Sequence, residues 1–469
     1  MDDYKKRFID FLLEKEALKI RGDYTLKSKR ISPWFVNIGD FNDAMSSNVL
    51  GIFYGEALTS SGEQFDILYG IPEKGIGLVV ATAIALSSQR PNLSWFFTRK
   101  TPKEYGEATN LSKDERIKAL VVGRVPKEGQ IIAQLDDVFT AGDTKYQARE
   151  TLLSIGNFKL PLLAIAVDRQ EVGTDGKSAI EEYELRTGTK VISIVNASDI
   201  YHILKNQKSF PEELERMAKY LRVYGTEQVR KTVGKLEQKI IERYKSVIPA
   251  CDVSSLEQFE SLVRQTADIE GIGAYKLGFE LALGYGLPKV VETAKKYTDK
   301  PLIYDHQKAG TDIPDTGKNF AKVVKNAGID AVILFPQSGP ETERAWIYHA
   351  LDQGLKVIVG GEMTHPAYKR SEGGFISDDM LNEMYLIAAR AGINNFDVPG
   401  NKIDRISHYK SIIEAEGVSP VFYAPGFIVQ GGIISDAAKV IERFHGIVGR
   451  GIYESENMRE AALEHTSQL

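Results

Sequence analysis

The chain has 469 residues, 43% of them hydrophobic, 26% charged and 9% aromatic, with a formal net charge of -5. That length exceeds one ordinary core and predicts two or three domains; the composition excludes a disordered or fibrous chain, and the acidic balance excludes bulk binding to nucleic acid or membrane. The single cysteine, Cys251, excludes disulfides within the chain and cysteine-rich metal sites. In the apolar run VIPACD it reads as a buried thiol, and the chain as a cytoplasmic protein of a reducing compartment.

The N-terminal MDDYKKRFIDFLLEKEAL has the period of an amphipathic helix and lacks the long apolar stretch of a signal peptide or spanning helix. Helical patterns then alternate with the short apolar segments FDILYGI, NLSWFFTR, GQIIAQLDDV, LPLLAIAVDR and KVISIV, a spacing that predicts an α/β domain over 1–209 built on a parallel sheet. Residues 210–245 are charged, helical in period and free of strand signals, which predicts a helical connector between domains, the alternative being a long helix of either one. Over 246–469 the segments VIPACD, GAYKLG, PLIYD, AVILF, KVIVGG, NNFDVPG, PVFYAP and GIVGR recur between helical stretches, the rhythm of a (β/α)8 TIM barrel. Barrel chemistry is carried at the C-terminal ends of the strands, a rule that selects Asp252, Lys276, Asp305, Lys308, Thr364, Gln430 and Arg450.

Within the first domain the run IIAQLDDVFTAGDT ends a strand in Asp136 and Asp137 and turns through small residues into a helix. Thr140, Ala141, Gly142, Asp143 and Thr144 let backbone N–H groups and a helix N-terminus converge on a phosphate, while the carboxylates take ribose hydroxyls or a hydrated cation. Taken alone, such a turn is equally an ordinary strand-to-helix connection with an aspartate cap. Cations accompany it: Lys27 before SKRISPWF, Lys74 in IPEKGIG, Arg99, Lys100 and Lys103 in TRKTPKEYGE, and Arg169 in VDRQE. Gathered together they suit a highly phosphorylated sugar that carries a divalent ion; taken singly, each lysine is a solvated surface charge. Trp34 and Phe35 offer faces to a flat ring or to the core.

The order LKSKRISPWF, EKGIG, FTRKTPKEYGE, LDDVFTAGDT and VDRQE resembles the orotate phosphoribosyltransferase family. The resemblance implies that Asp136, Asp137 and the turn from Thr140 to Thr144 bind the ribose 5-phosphate part of phosphoribosyl pyrophosphate. It further implies that Lys27, Lys74, Arg99, Lys100, Lys103 and Tyr105 bind the pyrophosphate or complete the closed site, with Lys103 catalytic, and that Phe35 and Arg169 hold orotate. Mg²⁺ is then bound mainly through phosphoribosyl pyrophosphate, without direct protein ligands. Two positions depart from the family pattern: Tyr105 stands where a histidine is usual, and Lys29 replaces the glycine of LKSG.

In the second domain LIYDHQKAGTDIPDT sets Lys308 among Asp305, Asp312 and Asp315, which taken alone is a surface ion-pair cluster; after the third barrel strand, however, a lysine held among carboxylates stays protonated and can deliver a proton. The segments PACDV, YKLGFELAL, YDHQKAGTDIPDT, GEMTHP, APGFIVQGG and VGRGIY resemble the orotidine 5'-phosphate decarboxylase family. That resemblance implies a cofactor-free decarboxylation in which Lys308 protonates the C6 carbanion beside Asp305 and Asp312. Asp252 and Lys276 would serve the ribose and the charge network, Thr364 the pyrimidine, and Gln430, Gly449 and Arg450 the phosphate. The usual D-x-K-x-x-D spacing is lengthened here, so the strand is expected to end or bulge at His306-Gln307 to return Lys308 to the pocket. The family also implies a homodimer or larger homo-oligomer in which Asp312 acts across the interface.

Together the resemblances imply two consecutive steps, from orotate and phosphoribosyl pyrophosphate to orotidine 5'-phosphate and then to UMP, with neither a nucleic acid nor a membrane as partner. The competing readings are a phosphoribosyltransferase for another base fused to a metal-dependent sugar-phosphate barrel, and a nucleotide sensor without turnover.

Overall fold

The computed structural model describes residues 3–99, 113–139, 142–236, 238–306, 311–427 and 432–469. The chain divides into two compact units, Met1–Gly234 and Lys235–Leu469.

The first unit opens with the helix Asp3–Glu14, whose buried Phe8, Ile9 and Leu12 form one apolar face. Two short antiparallel pairs follow, β1 (Leu18–Lys19) with β4 (Phe35–Val36) and β2 (Tyr24–Thr25) with β3 (Ile31–Ser32). The main sheet contains β5 (Ile67–Gly70), β6 (Ser94–Thr98), β7 (Val121–Gly123), β8 (Ile131–Leu135), β9 (Lys159–Asp168) and β10 (Lys190–Asn196), in the order β10-β9-β8-β5-β6-β7. Every neighbouring pair is parallel except β6 and β7. Parallel strands covered on both faces need unbroken apolar runs, and β5 is buried at all four positions. Ile67, Leu163 and Ile165 are essentially solvent-free, each such burial contributing roughly 1.5–3 kcal/mol. Because β5, β6, β8 and β9 run the same way, their C-terminal ends meet at one sheet edge, where open parallel sheets bind ligands.

The stretch expected as a connector supplies the helices Pro211–Tyr224 and Glu227–Val233, and both lie within the first unit. Leu214, Met217, Ala218 and Leu221 are buried along one helical face, Arg216 pairs with Asp23 at 2.7 Å, and the Tyr224 carbonyl accepts the Val172 N–H at 2.8 Å. An apolar stripe of this kind belongs against a core, and only charge on the outer face gave it the look of a linker.

The second unit is a closed parallel barrel: β11 (Lys245–Cys251), β12 (Tyr275–Leu277), β13 (Leu302–Asp305), β14 (Ala331–Leu334), β15 (Lys356–Gly360), β16 (Asn395–Asp397), β17 (Val421–Ala424) and β18 (Phe444–Val448), which pairs back to β11. Ile248, Ile303, Ile333, Ile358, Tyr423 and Ile447 fill its interior. The chain enters this unit through a buried Gln238, which accepts the Val357 N–H at 2.8 Å and takes the Asn395 amide on its carbonyl at 2.9 Å. Ile241 completes the apolar plug beside it. Among the described residues no helix is long and apolar enough to cross a membrane.

Candidate functional sites

At the sheet edge of the first unit, β8 stops at Leu135 and the next two residues are locked by backbone contacts. The Asp136 N–H donates to the Ala164 carbonyl at 3.0 Å, the Asp137 carbonyl accepts from Ala166 at 2.9 Å, and the buried Tyr54 hydroxyl donates to the Asp136 carbonyl at 2.7 Å. Asp136 is 5% exposed, whereas Asp137 is half-buried. Burial pushes the Asp136 carboxyl up, against the opposing pull of Lys145, whose ammonium lies 2.6 Å from it. Gly142 then caps the helix Asp143–Ile155 with a φ of 86°, and a Cβ there would meet the Phe139 ring at 3.1 Å, so the turn requires glycine. Asp143 and Thr144 are exposed on the first helical turn; Thr140 and Ala141 lie outside the described residues.

Lys74 caps the helix Gly75–Ala85, which approaches so closely that a Cβ on Gly75 would stand 2.4 Å from the Leu135 carbonyl. Its ammonium lies 3.3 Å from the Cβ position of Gly39, in the turn that follows β4, and this brings Lys74 toward the Phe35 segment. Phe35 is half-buried and stacks on Tyr24 with ring centroids 6.0 Å apart. Trp34 instead belongs to the core: it is solvent-free and lies under the Arg169 guanidinium at 3.9 Å. Arg169 also donates to Ser32 Oγ at 2.9 Å and pairs with Glu171 at 2.6 Å, joining the VDRQE segment to the strand before Phe35. Asp168 beside it is pushed up to about 6 by burial. Lys27 is exposed on a turn in which Lys29 takes a φ of 68°, the left-handed conformation that a glycine adopts without strain. Arg99 ends the β6 edge, half-buried; Lys100, Lys103 and Tyr105 lie outside the described residues.

In the barrel, a cavity of about 330 Å³ opens at the C-terminal strand ends, lined by Asp252, Lys276, Asp305, Thr364, Asp397 and Arg450 among others. Lys276 is 4% exposed, its Nζ 3.1 Å from Asp305 and 3.5 Å from Asp252. Burial opposes its charge, but the carboxylates of Asp305, Asp252 and Asp397 outweigh burial and hold its pKa above that of an ordinary lysine. Gly449 lines the same cavity and precedes the short helix that begins at Arg450, whose side chain is exposed. The β13 ladder ends at Asp305, so strict alternation of faces ends before His306. Asp312 is exposed and outside the cavity lining, as is Asp315; Lys308 and Gln430 lie outside the described residues.

Several groups at these sites escaped the sequence reading. Asp397, 1% exposed at the end of β16, satisfies the same strand-end rule as Asp305 and was recoverable from NNFDVPG. Glu362, just after β15, has no exposed side-chain surface and is held by Lys402 at 3.0 Å, Lys369 at 3.1 Å and Arg405 at 2.8 Å. Burial works against its charge, yet hydrogen bonds from Tyr409, Arg405, Lys402 and Lys369 bring its carboxyl down to about 2. The same β16–helix connection grips the loop that carries Thr364: Lys402 donates to the Met363 carbonyl at 3.1 Å and Asn401 to the Thr364 carbonyl at 3.3 Å. Such cations are scattered along the sequence and only the fold gathers them. Among the described residues no group of three His, Cys, Asp or Glu side chains is placed to hold a metal ion.

Residues 245–465 match the family model described as "Orotidine 5'-phosphate decarboxylase / HUMPS family". The orotate phosphoribosyltransferase of Nitrosococcus oceani is 38% identical over 230 residues, 49% of this chain and 99% of that protein. That of Vibrio parahaemolyticus is 40% identical over 226 residues, 48% of this chain and 100% of that protein. Among solved structures, an orotate phosphoribosyltransferase from Francisella tularensis is 28% identical with a TM-score of 0.40, covering 47% of this chain and all of that one, 100%. An orotidine 5'-monophosphate decarboxylase from Methanocaldococcus jannaschii is 26% identical with a TM-score of 0.43, covering 48% of this chain and 98% of that one.

Proposed function

The chain belongs through its first half to the orotate phosphoribosyltransferase family, its second half matches the orotidine 5'-phosphate decarboxylase / HUMPS family, and we propose that it makes UMP in two consecutive steps. The observation that carries the reading is this succession on one polypeptide: the product of the first activity is the substrate of the second. A transferase for another base fused to a metal-dependent barrel, or a sensor without turnover, leaves that succession unexplained and is not favoured.

In the first step a ring nitrogen of orotate attacks the anomeric carbon of phosphoribosyl pyrophosphate as the bond to pyrophosphate breaks. The ribose gains oxocarbenium character and the leaving group gains negative charge, so cations at the leaving group lower the barrier. Lys27, Lys74, Arg99, Lys100 and Lys103 take that part, with Tyr105 in the closing segment. Asp137 and the turn from Thr140 to Thr144 hold the ribose 5-phosphate, with the buried Asp136 supporting them from behind, while Phe35 and Arg169 receive orotate. Mg²⁺ would be held mainly through phosphoribosyl pyrophosphate, with the half-buried Asp137 at the same sheet edge, and would supply charge neutralisation to the departing diphosphate.

In the second step the C6 carboxylate leaves as carbon dioxide and Lys308 delivers a proton to the carbanion. Lys276, held among Asp252, Asp305 and Asp397, keeps the pocket's charges in place for that event. Thr364 faces the pyrimidine, and Arg450, Gly449 and Gln430 bind the phosphate, whose remote binding energy holds the reacting end against charged neighbours. This step uses no cofactor. A homodimer or larger homo-oligomer, with Asp312 completing a neighbour's site, fits the exposure of Asp312 and of the apolar Leu283, which is 77% exposed. The reading places the protein in the cytoplasm, where a reducing environment suits its single, buried Cys251. Incubating the purified chain with orotate and phosphoribosyl pyrophosphate while following both leaving groups tests it.

A further inference from the structure

The paired aspartates of the first site are not equivalent in their surroundings. Asp136 has both carboxylate oxygens engaged within the protein: Oδ1 accepts the Asp137 N–H at 2.9 Å and Oδ2 takes the Lys145 ammonium at 2.6 Å. The side chains of Lys145 and Asp136 are 5% and 6% exposed, so this is a buried ion pair. Lys145 Nζ also donates to the Val138 carbonyl at 2.7 Å, reaches Thr144 Oγ1 at 3.5 Å, and lies 5.6 Å from the Phe139 ring centroid. One ammonium thus ties the end of β8 to the first turn of the helix Asp143–Ile155. Asp137 is half-buried, and its Oδ1 accepts the Val138 N–H at 2.7 Å, a local contact that leaves the side chain at the open edge of the sheet.

A buried carboxylate paired this tightly is a poor partner for ribose hydroxyls, because leaving its ammonium would strand two charges away from water. Its pairing serves shape instead. An ammonium fixed to the Val138 carbonyl sets where the chain leaves the end of β8, just before the segment read as the phosphate site. We infer that Lys145 is a positioning residue of the phosphoribosyl site: it neutralises Asp136, commits that aspartate to shaping the turn, and leaves Asp137 to meet the ligand. The inference rests on the reading of this site as the phosphoribosyl pyrophosphate site.

The test measures the KM for phosphoribosyl pyrophosphate and the kcat of pyrophosphate release at saturating orotate, on the full chain, for Lys145→Met, Lys145→Arg, Asp136→Asn and the Lys145→Met/Asp136→Asn double variant. Lys145→Met should raise KM on the order of tenfold or more, with a smaller effect on kcat, since the turn that holds the phosphate is displaced. The double variant should recover to within about threefold of the unaltered chain, because removing both members of a buried pair avoids the stranded charge. Lys145→Arg should recover in part, and decarboxylation of orotidine 5'-phosphate should stay unchanged throughout. Unchanged KM and kcat in Lys145→Met would overturn the inference while leaving the reading of the site intact. So would a double variant no better than Lys145→Met, which would make Lys145 a direct ligand contact. An unaltered chain that releases no pyrophosphate would remove the reading itself, and this inference with it.

Discussion

Lys276 Nζ stands 3.1 Å from Asp305 Oδ2 and 3.5 Å from Asp252 Oδ1 because three adjacent barrel strands, β11, β12 and β13, deliver their C-terminal residues to one point. The lysine sits on the middle strand, so each carboxylate approaches from one side. A buried charge arranged this way is rigid and expensive to uncouple.

Lys276→Met should therefore destabilise the barrel by about 3–5 kcal/mol, since it strands the buried Asp305 without its cation. It should also lower decarboxylation by at least about a hundredfold, the scale of losing a preorganised electrostatic partner. Denaturant unfolding and carbon dioxide release read the two effects; a variant as stable and active as the unaltered chain would show that the pair is incidental.

Asp137→Asn should suppress pyrophosphate release by about a hundredfold or more, because the half-buried carboxylate is the one open to ribose and cation. Decarboxylation measured on the same preparation should not change. Equal losses in both assays would point to misfolding and not to a ligand contact.

Glu362 gives a pH signature. Its carboxyl falls from an ordinary 4.5 to about 2 in the folded protein, so the stabilisation it supplies is complete above pH 4.5 and is lost as pH falls toward 2. Glu362→Gln should be less stable than the unaltered chain by roughly 2 kcal/mol at neutral pH, trimmed from the full linkage value by screening at the cavity wall. The gap should close as urea titrations are carried down through that window. A gap independent of pH would mean that the three cations around Glu362 do not depend on its charge.

Cutting the chain between Gly234 and Lys235 should give two fragments that each fold and each keep one activity. A cut at 209 should leave the first fragment prone to aggregation, since the helix Pro211–Tyr224 would no longer cover the surface that buries Leu214, Met217 and Leu221. Circular dichroism and light scattering of both pairs distinguish the boundaries.

The fold was legible because its strands are apolar and regularly spaced: LPLLAIAVD, among five such segments in the first domain, reads as a strand of a parallel sheet, and eight such units after residue 245 close a barrel. The paired aspartates, the glycine turn and the strand-end residues were legible from local chemistry. What escaped was contact at long sequence separation, such as Lys402 and Arg405 on Glu362, or Arg169 over Trp34, where the partner is set by topology. Lys145 escaped for a different reason. One residue past the turn, it has the spacing of an ordinary surface lysine on a helix, and only its burial reveals the pairing with Asp136.

The most direct measurement follows orotate labelled at its carboxyl carbon, mixed with phosphoribosyl pyrophosphate and Mg²⁺, on the full chain and on Lys308→Ala. The unaltered chain should release one labelled carbon dioxide for each pyrophosphate and accumulate UMP. Lys308→Ala should still release pyrophosphate but accumulate labelled orotidine 5'-phosphate instead. Undiminished carbon dioxide release by Lys308→Ala, or no pyrophosphate from either protein, would contradict the account.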